Sequence, residues 1–232
     1  IPCAPALAIR EIDTYIHEWR GFGSSSLRAS KHNNWGYKDL LEDLIASQKA
    51  IAKSHDGEPS RPLIIAGHSL GSQLALLVGA LLPSRIHGVV CIAGGSPFYR
   101  VFPWPMRSAL RFMFFAMPML ARWVGHYPGY RLGFAGREAR GVMADWANSG
   151  KTGRYEPAGV NTNLEDALSA IHTPLLGIRM EDDWFVPPAS LAYLMDKCPD
   201  APKTIQIIQS ADMDGISDHY RWMKETDATT SV

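Results

Sequence analysis

Apolar residues along this 232-residue chain recur with two different periods, and the two alternate. Leu63-Ile-Ile-Ala66 and Val89-Val-Cys-Ile-Ala93 are short continuous apolar runs, closed by Gly67 and by Gly94-Gly95. That is the pattern of strands buried on both faces. Between them Leu70, Leu74, Leu76, Leu77 and Leu81 predict a helix, which Pro83 helps to end. Upstream, Tyr37, Leu40, Leu41, Leu44 and Ile45 follow Trp35 at three- and four-residue steps, predicting an amphipathic helix. Thr14–Trp19 reads as a further strand, ending in the glycine turn Arg20-Gly-Phe-Gly23. Strands resume at Pro174–Ile178 and Thr204–Ile208. Alternation of this kind predicts an α/β fold, a mostly parallel sheet flanked by helices.

From Pro97 to about His172 the chain is rich in Trp, Phe, Met and Pro, with helical but no strand patterning. This predicts a helical cap or lid insertion over residues 97–172, dividing one core into 1–96 and 173–232. Its most apolar run, Ala109–Val124, carries Arg111, Arg122 and Pro118 and falls short of the ~20 apolar residues of a span. No transmembrane segment is predicted. An exposed apolar face there would suit a lipid–water interface or a partner protein.

Composition narrows the function classes. Lys and Arg number 23 and Asp and Glu 23, so no basic footprint argues for nucleic acid. Cys3, Cys91 and Cys198 are scattered, without CxxC spacing, and Ile1-Pro2-Cys3-Ala4 has no secretory pattern. Both features point to a reducing, cytoplasmic setting. Histidines 17, 32, 55, 87, 126 and 172 show no HExxH or other ligand spacing, so no metal is expected. There is neither a GxGxxG after a strand nor a GxxxxGK[ST], so no cofactor is expected either.

Chemistry concentrates in three places. Gly67-His68-Ser69-Leu70-Gly71 fits G-x-S-x-G between a predicted strand and a predicted helix, a sharp turn that would expose the Ser69 hydroxyl. Such a turn would crowd a Cβ two residues before or after the serine, which would account for glycine at both positions. Leu70, at the start of the helix, offers its backbone N–H to a developing oxyanion. His68 could contact substrate or only pack beside the serine. A serine hydroxyl needs a base and an orienting acid. Glu181, Asp182 and Asp183 follow a late strand as candidate acids, and His219 is the only histidine beyond them.

These residues resemble the α/β-hydrolase superfamily over nearly the whole chain. Arg20-Gly-Phe-Gly-Ser-Ser25 is similar to its R-G-x-G-x-S turn, Gly67–Gly71 to its nucleophile elbow, and Asp183-Trp-Phe-Val-Pro187 to its D-x-x-V-P acid loop. More narrowly, His126–Gly133, Gly141–Trp146 and His219–Met223 are similar to a bacterial branch of serine hydrolases. The resemblance implies a triad of Ser69, Asp183 and His219. It also implies a second oxyanion donor, the Leu7 N–H, because Pro5-Ala-Leu-Ala8 is similar to the oxyanion loop of that branch.

One feature departs from the superfamily pattern, which places further strands and a helix ahead of the R-G-x-G turn. Only Ile1–Trp19 precede it here, too few for a parallel crossover, so the fold is expected to be shortened at its N-terminal side. Thr14–Trp19 is then expected at or near a sheet edge with unpaired backbone groups, which a second copy could cover as a homodimer. The function this implies is hydrolysis of an ester or related small acyl substrate. Acyl transfer on the same intermediate, or an inert binding protein of hydrolase fold, are the alternatives.

Overall fold

The computed structural model describes residues 3–54, 61–213 and 215–224. In chain order the elements are α1 (Cys3–Ala8), α2 (Tyr37–Ser54), β1 (Ile64–His68), α3 (Leu70–Leu81), β2 (Gly88–Ile92), α4 (Met106–Val124) and β3 (Tyr127–Pro128). There follow α5 (Gly129–Leu132), β4 (Arg137–Glu138), α6 (Arg140–Thr152), α7 (Leu164–Ser169), β5 (Leu175–Met180), α8 (Pro188–Met195) and β6 (Lys203–Ile208). The chain divides into two compact units. One takes the described residues of Ile1–Ile16, Pro59–Gly95 and Leu168–Val232; the other takes those of His17–Glu58 and Ser96–Ala167.

The first unit is an α/β layer. Four strands run parallel in the order β1-β2-β5-β6, with Ile64 opposite Gly88, Val89 opposite Leu175 and Leu175 opposite Lys203. Helix α3 is buried from Ser72 to Ala80, as its dense leucines require. It approaches β2 closely: a Cβ on Gly79 would stand 2.8 Å from a Val89 methyl. Helix α8 packs on β5, where Gly177 admits Leu191 and Met195. Cys91 and Cys198 are buried thiols in no disulfide, and burial pushes the Cys91 thiol up to about 12, which makes it unreactive.

The N-terminal side differs from the strand expected over Thr14–Trp19. Residues 12–19 belong to no ladder, and Ile12, Tyr15 and Ile16 are about half exposed. An extended run becomes a strand only when another strand takes its N–H and C=O groups. Among the described residues none does. The edge of the sheet is β1 itself, whose Ile64 is 59% exposed.

The second unit is mainly helical. Met117, Ala121, Tyr127 and Met143 form its core cluster, with Trp146 and Phe134 packed against them. The glycine turn is tied down within this unit, where the Arg20 guanidinium forks onto Asp43 and also reaches Asp39, both on α2. Helix α2 groups with residues 96–167 in this unit. This unit also holds a small antiparallel ladder, β3 with β4, where only helical patterning was expected. Two residues per strand are too few to display a period.

Phe114 is fully buried, and its ring lies where a Cβ on Gly150 would stand 2.3–2.7 Å away. Gly150→Ala gains about 1 kcal/mol of helix propensity, but overpacking costs about 1–3 kcal/mol. The variant should therefore unfold at lower urea, and Phe114→Leu should recover part of the loss in the double mutant. A Gly150→Ala protein more stable than the parent would contradict this packing.

Candidate active site

Parallel strands deliver their C-terminal ends to one edge, and the loops there carry the site. Past the last ladder pair, each loop continues the hydrogen bonding to the next strand. Ser69 N–H donates to Ile92 O at 3.0 Å, Ala93 N–H to Ile178 O at 2.8 Å, and Glu181 N–H to Ile208 O at 3.0 Å. Asp182 N–H then donates to Ser217 O at 2.9 Å. The serine, acid and histidine loops are thus linked through backbone.

Ser69 sits at φ 54°, ψ −118°, a conformation that a non-glycine residue adopts only under constraint. Gly67 permits the turn, since a Cβ there would stand 2.1 Å from Gly71 O. Gly71 does not share that role. A Cβ on it would meet nothing within 4 Å, so the crowding argument holds on the strand side only. Ser72 adds a clamp, its hydroxyl donating to Gly67 O at 2.6 Å. Leu70 opens α3, so its N–H has no partner one turn back in the helix.

Asp183 and His219 are both buried, and Asp183 Oδ2 lies 2.8 Å from His219 Nδ1. The other Asp183 oxygen accepts from the Phe185 N–H at 2.9 Å and the Val186 N–H at 3.1 Å. A carboxylate only accepts, so Nδ1 carries the proton and Nε2 presents a lone pair. Among the described residues Nε2 has no hydrogen-bond partner, and the Ser69 hydroxyl makes none to it; such bonds are often long before substrate binds. The two neighbouring acids are engaged elsewhere: Glu181 accepts from the Ser210 N–H at 2.8 Å, and Asp182 accepts from the Ser210 hydroxyl.

Sequence reasoning missed the residues that hold His219. Ser217 is fully buried and its hydroxyl donates to Ile208 O at 2.8 Å, tying the loop to the end of β6. Asp218 accepts from the Tyr220 and Arg221 N–H groups, both at 2.8 Å, which pulls its carboxyl below the usual range. Trp222 is buried with Ala93, Ile178, Met180 and Ile208. The one available signal was the spacing Ser-Asp-His, with a polar residue able to cap the turn that follows.

His68 faces this loop. Its Nε2 lies 2.9 Å from His219 O, and its ring centroid is 4.8 Å from that of His219 and 5.5 Å from that of Trp222. Burial, and secondarily the neighbouring His219, push the His68 pKa down to about 4. A neutral ring donating through Nε2–H satisfies that carbonyl.

Leu7, the expected second oxyanion donor, lies in helix α1 rather than in a loop. Ala4, Pro5 and Ala8 of that helix line a cavity with Ile12, Thr14 and Arg61, and Ser69, Asp183 and His219 do not border it. No hydrogen bond among the described residues links Leu7 to Ser69. Nor is any group of three or more His, Cys, Asp or Glu side chains among them placed to hold a metal.

The family model Hydrolase_4, described as serine aminopeptidase S33, matches residues 2–140. Solved structures share the α/β-hydrolase fold. A type II thioesterase, BorB, from the borrelidin biosynthetic cluster aligns with TM-score 0.56 at 17% identity, over 99% of this chain and 83% of that one. A monoacylglycerol lipase of Paleococcus ferrophilus aligns with TM-score 0.55 at 16% identity, over 92% and 79%. A bromoperoxidase from Bacillus anthracis aligns with TM-score 0.55 at 16% identity, over 91% and 76%. No curated protein matches the chain.

Two outcomes follow from this geometry. Gly67→Ala should cost about 3 kcal/mol or more because the clash is with backbone, whereas Gly71→Ala should change stability by under about 1 kcal/mol, in the stabilising direction. Equal effects in urea titrations would contradict the asymmetry. For His68, the unfolded ring takes a proton below about pH 6.5 while the folded ring resists until about 4. The stability it contributes is therefore complete above 6.5 and is lost as pH falls through 4. His68→Gln should flatten the decline of unfolding free energy between pH 7 and 4 by up to about 3 kcal/mol; an unchanged slope would contradict it.

Proposed function

The chain belongs to the Hydrolase_4 family, serine aminopeptidase S33, within the α/β-hydrolase superfamily, and on that premise we propose that it hydrolyses an ester or related acyl compound through an acyl-enzyme on Ser69. The observation that carries the reading is the buried 2.8 Å bond between Asp183 and His219, at the strand edge that also carries the strained Ser69. In this reading His219 Nε2 takes the proton from the Ser69 hydroxyl as its oxygen attacks the substrate carbonyl. Asp183 keeps the proton on Nδ1 and stabilises the imidazolium that forms. The Leu70 N–H donates to the developing oxyanion at the start of α3, where the helix dipole adds to its stabilisation. His219 returns the proton to the leaving alcohol, the tetrahedral adduct collapses to the acyl-enzyme, and water repeats the sequence to release the acid.

His68 and Ser217 act through His219 as positioning residues, one at its carbonyl and one on the loop before it. Leu7 lies in α1, and the oxyanion donor this reading uses is the Leu70 N–H.

Ser69→Ala should lower hydrolysis of p-nitrophenyl butyrate by at least about a thousandfold, with the far-UV circular dichroism unchanged. Asp183→Asn should cost about a hundredfold or more, and Asp182→Asn less than about threefold. Undiminished turnover in Ser69→Ala would remove the mechanism, and a larger loss in Asp182→Asn would reassign the acid.

A further inference from the structure

Helix α4 is apolar on two opposite faces, and only one of them has a place in the protein. Phe114, Met117 and Ala121 point into the core of their unit. On the other side Phe112, Phe115, Met119 and Trp123, spaced at three, four and four residues, form one exposed stripe. Their exposures are 71%, 63%, 57% and 86%, values that leave whole aromatic rings in water. Scattered surface apolar residues need no explanation, but a contiguous stripe of this size does.

The charge around the stripe selects its occupant. From Pro97 to Arg137 the chain carries arginine at positions 100, 107, 111, 122, 131 and 137, and no lysine, aspartate or glutamate. Arg111 and Arg122 are exposed beside the stripe on α4 and make neither a hydrogen bond nor an ion pair with any described residue. In a chain whose net charge is zero, this is a local excess of six positive charges. A second copy docking by the same face would set arginine against arginine with no acidic partner in the segment. An aromatic stripe edged by free guanidinium groups instead matches a surface that is apolar below and anionic above, which is the boundary of an anionic bilayer.

We propose that the Phe112–Trp123 stripe of α4 docks the protein onto anionic membrane surfaces. The apolar side chains enter the acyl boundary, and Arg111 and Arg122 pair with lipid phosphates. The helix lies in the plane of the surface; no helix among the described residues is long and apolar enough to cross a membrane. Docking is independent of the catalytic reading, because it is measured without turnover.

The test is flotation of the full chain with vesicles of phosphatidylcholine alone and of phosphatidylcholine with phosphatidylglycerol. The protein should float with the anionic vesicles, and the partition coefficient should fall at least about tenfold in 0.5 M NaCl or in Arg111→Glu/Arg122→Glu. Phe115→Ser/Trp123→Ser should lose binding at every salt concentration, while its circular dichroism and its hydrolysis of a water-soluble ester stay at parental levels. Absence of flotation, equal binding to both vesicle types, or variants that float like the parent would each overturn the proposal. So would a dimer in sedimentation equilibrium that Phe115→Ser/Trp123→Ser dissociates, since the stripe would then be a contact between copies.

Discussion

The structure depends on hydrogen bonding that does not stop where the strands do. In a parallel sheet the C-terminal residues of every strand reach one edge, and their carbonyls would otherwise be left to solvent. Here those of Ile92, Ile178 and Ile208 are taken by N–H groups of the loop one strand over, from Ser69, Ala93 and Glu181. The Asp182 N–H to Ser217 O bond carries the same linkage from the acid loop to the histidine loop. Residues far apart in sequence are held by backbone rather than by the reach of their own side chains. The strain of Ser69, and of Ala93 at φ 44°, is tolerated because these bonds over-determine the turns.

Burial sets the electrostatics built on that frame. Asp183 uses one oxygen on two backbone N–H groups and the other on His219, so each carboxylate oxygen has a partner within the protein. The cost of placing a carboxylate in the interior is offset by three hydrogen bonds, and the result fixes the imidazole tautomer. His68 works in the opposite sense: burial favours its neutral form, which suits a donor to the His219 carbonyl.

The sheet was legible because β1 and β2 are continuous apolar runs and the helix between them has a clean period. Ser69 was legible because an elbow sits between the two. Asp183 was distinguished from Asp182 only by the resemblance of Asp183–Pro187 to a D-x-x-V-P acid loop; the structure adds the physical difference, since Phe185 and Val186 turn their N–H groups toward Asp183 alone. What was not legible depends on partners distant in sequence. Thr14–Trp19 has strand-like composition but no strand to pair with, and Gly71 looks like Gly67 although only Gly67 meets backbone. Ser217 and Asp218 read as ordinary loop residues, since their value lies in bonds to Ile208, Tyr220 and Arg221 that only the folded turn creates. The two faces of α4 are both apolar, so its sequence alone did not say which one is buried.

The central claim is that Ser69 is activated by His219 and Asp183. It is tested most directly by reacting the protein with a fluorophosphonate and locating the adduct by mass spectrometry. The account predicts a single phosphonylated site at Ser69 in the parent, and labelling at least about a hundredfold slower in His219→Asn. An unlabelled Ser69, or one that reacts equally fast without the histidine, would contradict it.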